Sequence, residues 1–214
     1  MSKIIIHGGF FSESSTNIET KIAKQQALLR IVKDSYAYLQ NHSALETVVY
    51  AVSQLEDDEL FNAGIGSQIQ SDGKIRMSAS LMDGESQKMS GVINIEEVKN
   101  PIQVAQVLMQ VDDRILGGSG ATNFARKHGF ESFSTEIPQR RAEYEAKLAS
   151  LGTGTVGCVA LDKNGKIAVA TSTGGKGFEI PGRISDSATV AGNYANEFCG
   201  VSLTGVGEDI VSNA

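Results

Sequence analysis

Three threonines stand beside glycines where short β-rich runs begin or end. Thr155 follows Gly154 in TGTVGCVALD, Thr173 closes the run KIAVATST, and Thr204 precedes Gly205 and Gly207 in SLTGVGE. A threonine hydroxyl becomes a nucleophile when a base lies beside it, and glycine lets the main chain approach a reacting group closely. Asn164-Gly165 is a strong tight-turn signal between two β-runs. Thr155 and Thr173 lie at nearly equal distances from that turn, so a hairpin brings them to the same sheet end. Thr204 ends another β-run and could join them in one polar pocket. Threonine is also common in strands, and spacing alone does not separate a pocket from ordinary strand composition.

The segment GGKGFEIPGRISDS adds charge next to these hydroxyls. The planar fork of Arg183 matches a carboxylate, and Asp186 accepts from an ammonium, so the pair could hold the two α-groups of an amino acid. A surface ion pair within the loop is the plainer alternative. His7 precedes two glycines with no acidic neighbour and reads as a loop residue, while His42 and His128 fall in loop or helix-end contexts. No serine stands in a nucleophile-elbow motif, so a Ser-His-Asp triad has no support. Metal-ligand spacing is missing too. The acidic run in LEDDELFN reads as a helix end facing water.

The elements that must position these residues follow from periodicity. KIII is a short buried strand. Residues 17 to about 40 carry apolar side chains at helical spacing, and Ser43 with Glu46 has capping-box spacing ahead of a second helix. GKIRMSASLMDG and KMSGVINIEEV read as strands. NPIQVAQVLMQ is a helix capped by Asn100 with Pro101 in its first turn. SGATNFARKHG is a short helix ending at Gly129. Residues 131–154 are polar and weakly patterned, an exposed connection, partly helical. After it come the hairpin and a further β-rich stretch, ATVAGNYANEFCGVSLTG. Strands arrive in adjacent runs without βαβα alternation, which favours an α+β fold with antiparallel sheets and helices layered outside.

Composition bounds the partners. The 214 residues carry 41% hydrophobic side chains, enough for one sizeable core, and a net charge of −6 without a basic patch, which argues against nucleic acid. No run approaches a membrane span and the N-terminus lacks a secretory leader, so the expected location is the cytoplasm. The two cysteines form neither a CxxC nor a disulfide framework, and Cys158 reads as a small buried apolar residue.

The segments HGGF, LEDDELFNAGIGS, ASLMDG, VKNPIQVAQVLM, GTVGCVALDKNGKIAVATSTGG, PGRISDS and TGVGE occur in this order. Together they resemble the plant-type L-asparaginase / isoaspartyl peptidase family of N-terminal-nucleophile hydrolases, over nearly the whole chain. The combination GTVG…TSTGG…GRxxDS…TGxGE is highly specific. The resemblance implies a four-layer αββα sandwich forming a single domain over residues 1–214. Residues 1–154 would be its α-chain region and residues 155–214 the start of its β-chain region. It also implies an inactive precursor in which Thr155 attacks the carbonyl of Gly154. The freed Thr155 then holds both a hydroxyl and its own α-amine, with a pKa of ~7.7–8.0, and needs no histidine base.

The same resemblance implies further roles. Thr173 would hydrogen-bond the nucleophile, and Thr204 with Gly205 would supply oxyanion donors. Arg183 would grip the substrate α-carboxylate, with Asp186 and the Gly207 main chain on its α-amine and Asn62 in the loop facing the nucleophile. No catalytic cofactor is implied. A structural sodium ion would sit on the carbonyls of Leu55, Glu56, Asp58, Phe61, Ala63 and Ile65. The expected partners are a small amino-acid or dipeptide substrate and a second αβ unit, as a dimer. Family members continue beyond TGxGE, so the C-terminal part of the fold is expected to be missing from a chain that stops at Ala214. They also carry further glycines after HGG. Glycosylasparaginase is a weaker alternative, because it usually shows Asp before the nucleophile and enters the secretory route. A truncated, uncleaved and inactive homologue is another.

Overall fold

The structure is a computed structural model that describes residues 1–9, 17–146 and 154–213. Local signals start its helices where the sequence predicts. Helix α1 (Ile18–Leu39) begins at Asn17, whose Oδ1 accepts from the N–H groups of Glu19 and Thr20. Helix α2 (Ala44–Glu56) opens with a complete Ser43/Glu46 capping box. Each such cap satisfies main-chain donors that have no partner inside the helix. Helix α3 (Pro101–Leu108) has proline in its first turn, but Asn100 makes no side-chain cap. Its Nδ2 instead donates to Ser53 O and Asp57 Oδ1, tying α3 to the end of α2.

The strands are β1 (Lys3–His7), β2 (Met77–Asp83), β3 (Met89–Ile95), β4 (Ile115–Gly117), β5 (Val156–Leu161) and β6 (Ile167–Thr173). They form one sheet in the order β1-β5-β6-β2-β3-β4, with antiparallel neighbours except for the parallel pair β3–β4. Strand β4 is only three residues long and leaves no alternation to read. The β5–β6 turn contains Gly165 at φ +80°, a left-handed conformation that glycine adopts without strain. Two more strands, β7 (Asn193–Ala195) and β8 (Gly200–Ser202), pair as a separate antiparallel ribbon. Helices α4 (Gly118–Lys127), α5 (Pro138–Glu145) and α6 (Gly207–Ser212) complete the set.

Helices α1, α2 and α3 cover one face of the large sheet, and the β7–β8 ribbon lies against β2, β5 and β6 on the other. The helix side holds the main core, including Leu55, Leu81, Ile95, Ile102 and Leu108, all fully buried. The ribbon side holds a small cluster of Met82, Val169 and Ala195. Among the described residues this makes three layers, helix on sheet on ribbon, where a four-layer sandwich was expected. A mixed α/β architecture with a central sheet and outer helices is what the chain has. Residues 131–146 of the 131–154 connection are largely the exposed, partly helical stretch that polarity predicts: residues 131–134 and 136 are exposed and α5 buries no residue, with Thr135 as the exception. Thr135 is buried and its carbonyl accepts from Gly66 N–H, while Phe133 N–H donates to Glu97 O. Residues 147–153 of that connection lie outside the described residues. No described helix is long and apolar enough to cross a membrane.

Candidate active site

Register places the threonines. Val156 pairs with Ser172 across β5–β6, so Thr155 and Thr173 arrive at one end of the sheet, as the hairpin predicts. Side chains alternate between faces along each strand. Val156, Cys158 and Ala160 enter the helix-side core, and burial pushes the Cys158 thiol well up, out of reach of reactivity. Ser172 also points to the helix side and donates to Glu56 Oε1 at 2.7 Å. Thr171 points the other way, to Asn193 Oδ1 and Ser202 Oγ.

Thr155, Thr173, Arg183, Asp186, Gly205 and Gly207 line one narrow cleft of about 20 Å³, with Lys176 at its edge. Six residues singled out from sequence are thus brought together, from strand ends and loops far apart in the chain. Thr204 is half-buried and is not among the residues lining the cleft. Asn62 is buried beside it: its Nδ2 donates to Gly175 O and its Oδ1 accepts from Gln68 N–H. Asn62 therefore fixes the glycine turn that follows Thr173.

The partner of the Thr155 hydroxyl is Ser187, with the two oxygens 2.9 Å apart, and not Thr173 as the resemblance implies. Thr173 Oγ1 accepts from Gly175 N–H. The physical reason is a 3₁₀ turn, Asp186–Ala188, which folds over this sheet end and inserts Ser187 next to Thr155. Ser187 sat in the quoted GRISDS motif, yet no sequence feature assigned it a role.

Arg183 and Asp186 do not form the surface pair that was the plainer reading. Asp186 is 2% exposed, and its Oδ2 has no hydrogen-bond partner among the described residues. Burial raises the Asp186 carboxyl above the usual range, partly offset by its own N–H and by Arg183. Gly192 and Gly207 pack onto this carboxylate so closely that a Cβ would stand 2.5 Å from Oδ2 or 2.8 Å from Oδ1. Arg183 instead takes Glu208 in a two-point pair, Nε to Oε1 at 2.6 Å and Nη2 to Oε2 at 2.9 Å. That pair draws the Glu208 carboxyl down to about 2. Glu208, the last letter of the TGVGE segment, was missed as a partner.

His7 is not the plain loop residue it resembles in sequence. It ends β1, is largely buried, and sets Nε2 2.9 Å from Ser202 Oγ. Burial lowers its pKa to about 4, opposed only in part by the Thr155 main chain. Gly9 follows at φ +111°, where a Cβ would lie 2.6 Å from Gly154 Cα. The HGG turn thus presses directly on the residue before Thr155. His42 and His128 stack on Tyr38 and Phe124 at helix ends instead.

The LEDDELFNAGI turn closes on itself. Main-chain N–H groups of Asp58, Ile65 and Phe61 donate to the carbonyls of Leu55, Glu56 and Asp58. Gly64 at φ +53° and Gly66 at φ +93° let it pack onto the carbonyls of Glu56 and Phe61. Each carbonyl oxygen has a second lone pair, so the donor set is all oxygen and fits a hard cation. The acidic run is not wholly solvated: Glu56 is fully buried, accepts from Ile102 N–H as well as Ser172, and is pushed up to about 8 by desolvation.

Larger hollows lie elsewhere, one of about 470 Å³ at the opposite sheet end, lined by residues such as Glu85, Asn164 and Phe198. No residue lining it is a buried nucleophile or a buried titratable group.

A hydroxyl at a strand head, a buried carboxylate whose Oδ2 has no partner among the described residues, and an arginine oriented by Glu208 share one cleft. Comparison with known proteins gives the class. The sequence model of the asparaginase family matches residues 1–146 and 134–214. The isoaspartyl peptidase/L-asparaginase of Synechocystis is 47% identical, over 98% of this chain and 69% of its own length. The isoaspartyl peptidase of Escherichia coli is 37% identical, over 96% and 71%. The plant-type L-asparaginase of Pyrobaculum calidifontis is 36% identical, over 99% and 76%. The chain belongs to the asparaginase family and is a hydrolase of that kind.

Proposed function

We propose that the chain is an autoprocessing amidohydrolase that cleaves the side-chain amide of L-asparagine, β-aspartyl dipeptides, or both, with Thr155 as nucleophile. The observation that carries this reading is Thr155 at the head of β5, facing the cleft shared by Arg183 and Asp186. In the uncut chain Thr155 Oγ1 attacks the Gly154 carbonyl carbon, the hydroxyl proton passes to the Thr155 nitrogen as the Gly154–Thr155 C–N bond breaks to free the α-amine, and water hydrolyses the resulting ester. The close packing of Gly9 on Gly154 supports the scissile peptide being held in a set conformation. In the cut enzyme the α-amine of Thr155 takes the hydroxyl proton as Oγ1 attacks the substrate amide carbon. Ammonia or an amino acid leaves, and water releases aspartate.

Arg183 binds the substrate α-carboxylate, and Asp186, with the Gly207 main chain, its α-amine. The Thr204–Gly205 segment supplies donors to the oxyanion, Thr173 shapes the nucleophile's side of the cleft, and Asn62 holds the turn behind it. The carbonyls of Leu55, Glu56, Asp58, Phe61, Ala63 and Ile65 hold a structural sodium ion, which keeps this turn rigid. The β7–β8 ribbon is the start of the second sheet of a four-layer αββα sandwich, and two αβ units assemble as a dimer.

Intact-mass measurement and a denaturing gel after incubation at neutral pH test the reading. Two fragments are expected, the second starting at Thr155, together with turnover of asparagine or β-aspartyl-leucine. A permanently single mass with full turnover would count against Thr155.

A further inference from the structure

We propose that Ser187 is a further catalytic residue, whose hydroxyl donates a hydrogen bond to Thr155 Oγ1 and aims that oxygen at the acyl carbon. The inference rests on the reading of Thr155 as nucleophile and adds a group that the resemblance did not assign. Ser187 is fully buried, with its Oγ 2.9 Å from Thr155 Oγ1. It is held from both sides. Its carbonyl accepts from Ser80 Oγ of β2 at 2.6 Å, and the Thr189 N–H and hydroxyl both bond to Asp186 O at 2.8 Å. Ser80 and Thr173 are carried by adjacent, paired strands. The turn carrying Ser187 is therefore fastened to the sheet that carries the threonines.

The direction of the bond follows from the chemistry. Thr155 Oγ1 gives up its hydrogen when it acylates, so it can no longer donate, whereas it can accept throughout. The oxygen has two lone pairs. One forms the bond to the acyl carbon as the hydroxyl proton passes to the Thr155 α-amine, and the other keeps accepting from Ser187. Ser187 neither gains nor loses a proton. In the uncut chain the same contact holds Oγ1 while the acyl carbon is that of Gly154, so both self-cleavage and turnover use it.

Asp186 and Ser187 are consecutive, with the carboxylate in the substrate cleft and the hydroxyl on the nucleophile. One peptide unit thus sets the distance from the substrate's amine to the attacking oxygen. A free threonine rotor would spread over its staggered positions; the Ser187 contact selects one of them before substrate arrives, which is how positioning lowers a barrier.

The test is Ser187→Ala, Ser187→Thr and Ser187→Cys in the full chain, with kcat, KM, self-cleavage rate and thermal midpoint measured for each. Ser187→Ala is expected to lower kcat and self-cleavage by about ten- to a hundredfold with KM unchanged, and Ser187→Thr, which keeps the donor, to recover most of the loss. If Ser187→Ala fails to fold, Ser187→Cys keeps the volume with a weak donor, and a fall in its kcat at constant KM carries the proposal. Wild-type kcat in Ser187→Ala would overturn it. So would a joint fall of kcat, KM and midpoint in all three variants, which marks a structural role. Thr155→Ala is run in parallel. An active Thr155→Ala sinks the nucleophile reading itself, whereas an inert Thr155→Ala beside a fully active Ser187→Ala sinks only the role of Ser187.

Discussion

The two faces of the central sheet are made from the same strands and do opposite work. Along β6, Ala168 and Ala170 turn towards the helices, into a continuous aliphatic core, while Val169 and Thr171 turn towards the β7–β8 ribbon. The helix side is held mainly by volume, with side chains such as Leu55, Leu81 and Ile102, and the Ser172–Glu56 hydrogen bond is a buried polar exception within it. The ribbon side is held by hydrogen bonds between hydroxyls, such as Thr155 to Ser187 and Thr171 to Ser202. A buried hydroxyl must find a partner or cost its full desolvation. That requirement is directional, so it fixes oxygens in place, which a packed aliphatic layer does not do. Reactive oxygens therefore belong on the ribbon side, and the helix side serves as the support against which they are aligned.

The sharpest way to break this comparison is to delete one group from each face. Thr155→Ala is expected to abolish turnover, by roughly a thousandfold or more, to remain a single chain, and to lose only about 1 kcal/mol of stability, for the Ser187 hydroxyl left without its partner. Leu81→Ala leaves a cavity in the aliphatic core. It is expected to lose about 2–5 kcal/mol of stability with kcat per folded molecule unchanged. Chemical denaturation and steady-state kinetics on both variants check the pair. A Thr155→Ala protein as unstable as Leu81→Ala would show that the two faces are not divided in this way.

A smaller effect is expected at the charged end of the cleft. Arg183 presents its Nε and Nη2 edge to Glu208, which leaves Nη1 and the outer Nη2 hydrogen for a substrate carboxylate. Arg183→Lys keeps the charge and loses the fork. KM for aspartyl substrates is expected to rise about ten- to a hundredfold, while self-cleavage, which involves no free α-carboxylate, keeps its rate. Equal losses in both would make Arg183 a purely structural residue. Smaller again is the contribution of the Leu55–Ile65 turn. Replacing sodium by tetramethylammonium is expected to lower the thermal midpoint by a few degrees through loss of a bound cation and to leave kcat alone. An unchanged midpoint would remove the ion from the turn.

What could be read in the sequence divides along the same line. The β5–β6 hairpin was legible because Asn164-Gly165 and the flanking alternation are local signals, and the Ser43/Glu46 box announces α2 over one turn. The meeting of Thr155 and Thr173 followed from those alone. The Ser187 contact spans 32 residues and the Arg183–Glu208 pair 25, across loops whose path no periodicity records. Glu56 looked like part of a solvated acidic run, and only distant partners, Ser172 at 116 residues and the Ile102 N–H at 46, explain why it is buried. The aliphatic face is written in a pattern. The polar face depends on partners that only the fold brings together, and there the family motifs gave the residues without the bonds between them.

The last effect expected is an absence of change, and it concerns the base. Protonation of the Thr155 α-amine should switch the reaction off, so kcat/KM is expected to fall on the acid side of neutrality. The reference value for such an amine is ~7.7–8.0. Burial and the nearby Arg183 both disfavour a further positive charge and shift the limb downward, and Glu208 offsets part of the Arg183 effect. His7 pairs with Gly157 across β1–β5 and so packs beside this site, and its pKa is lowered to about 4 by burial. A histidine-controlled limb would therefore fall near pH 4, well clear of the amine. Asp186 adds a carboxyl raised by burial, but its protonation weakens binding of the substrate amine and so appears in KM. His7→Asn is expected to leave the near-neutral limb of kcat where it is. The same variant should change stability in one window only. Because folding depresses the His7 pKa, the unfolded chain binds more protons between pH 6.5 and about 4, so stability falls as pH falls through that window. His7→Asn should flatten that part of the curve. A limb that disappears in His7→Asn, with folding and the Gly154–Thr155 cut intact, would make histidine the base and end the N-terminal-amine mechanism.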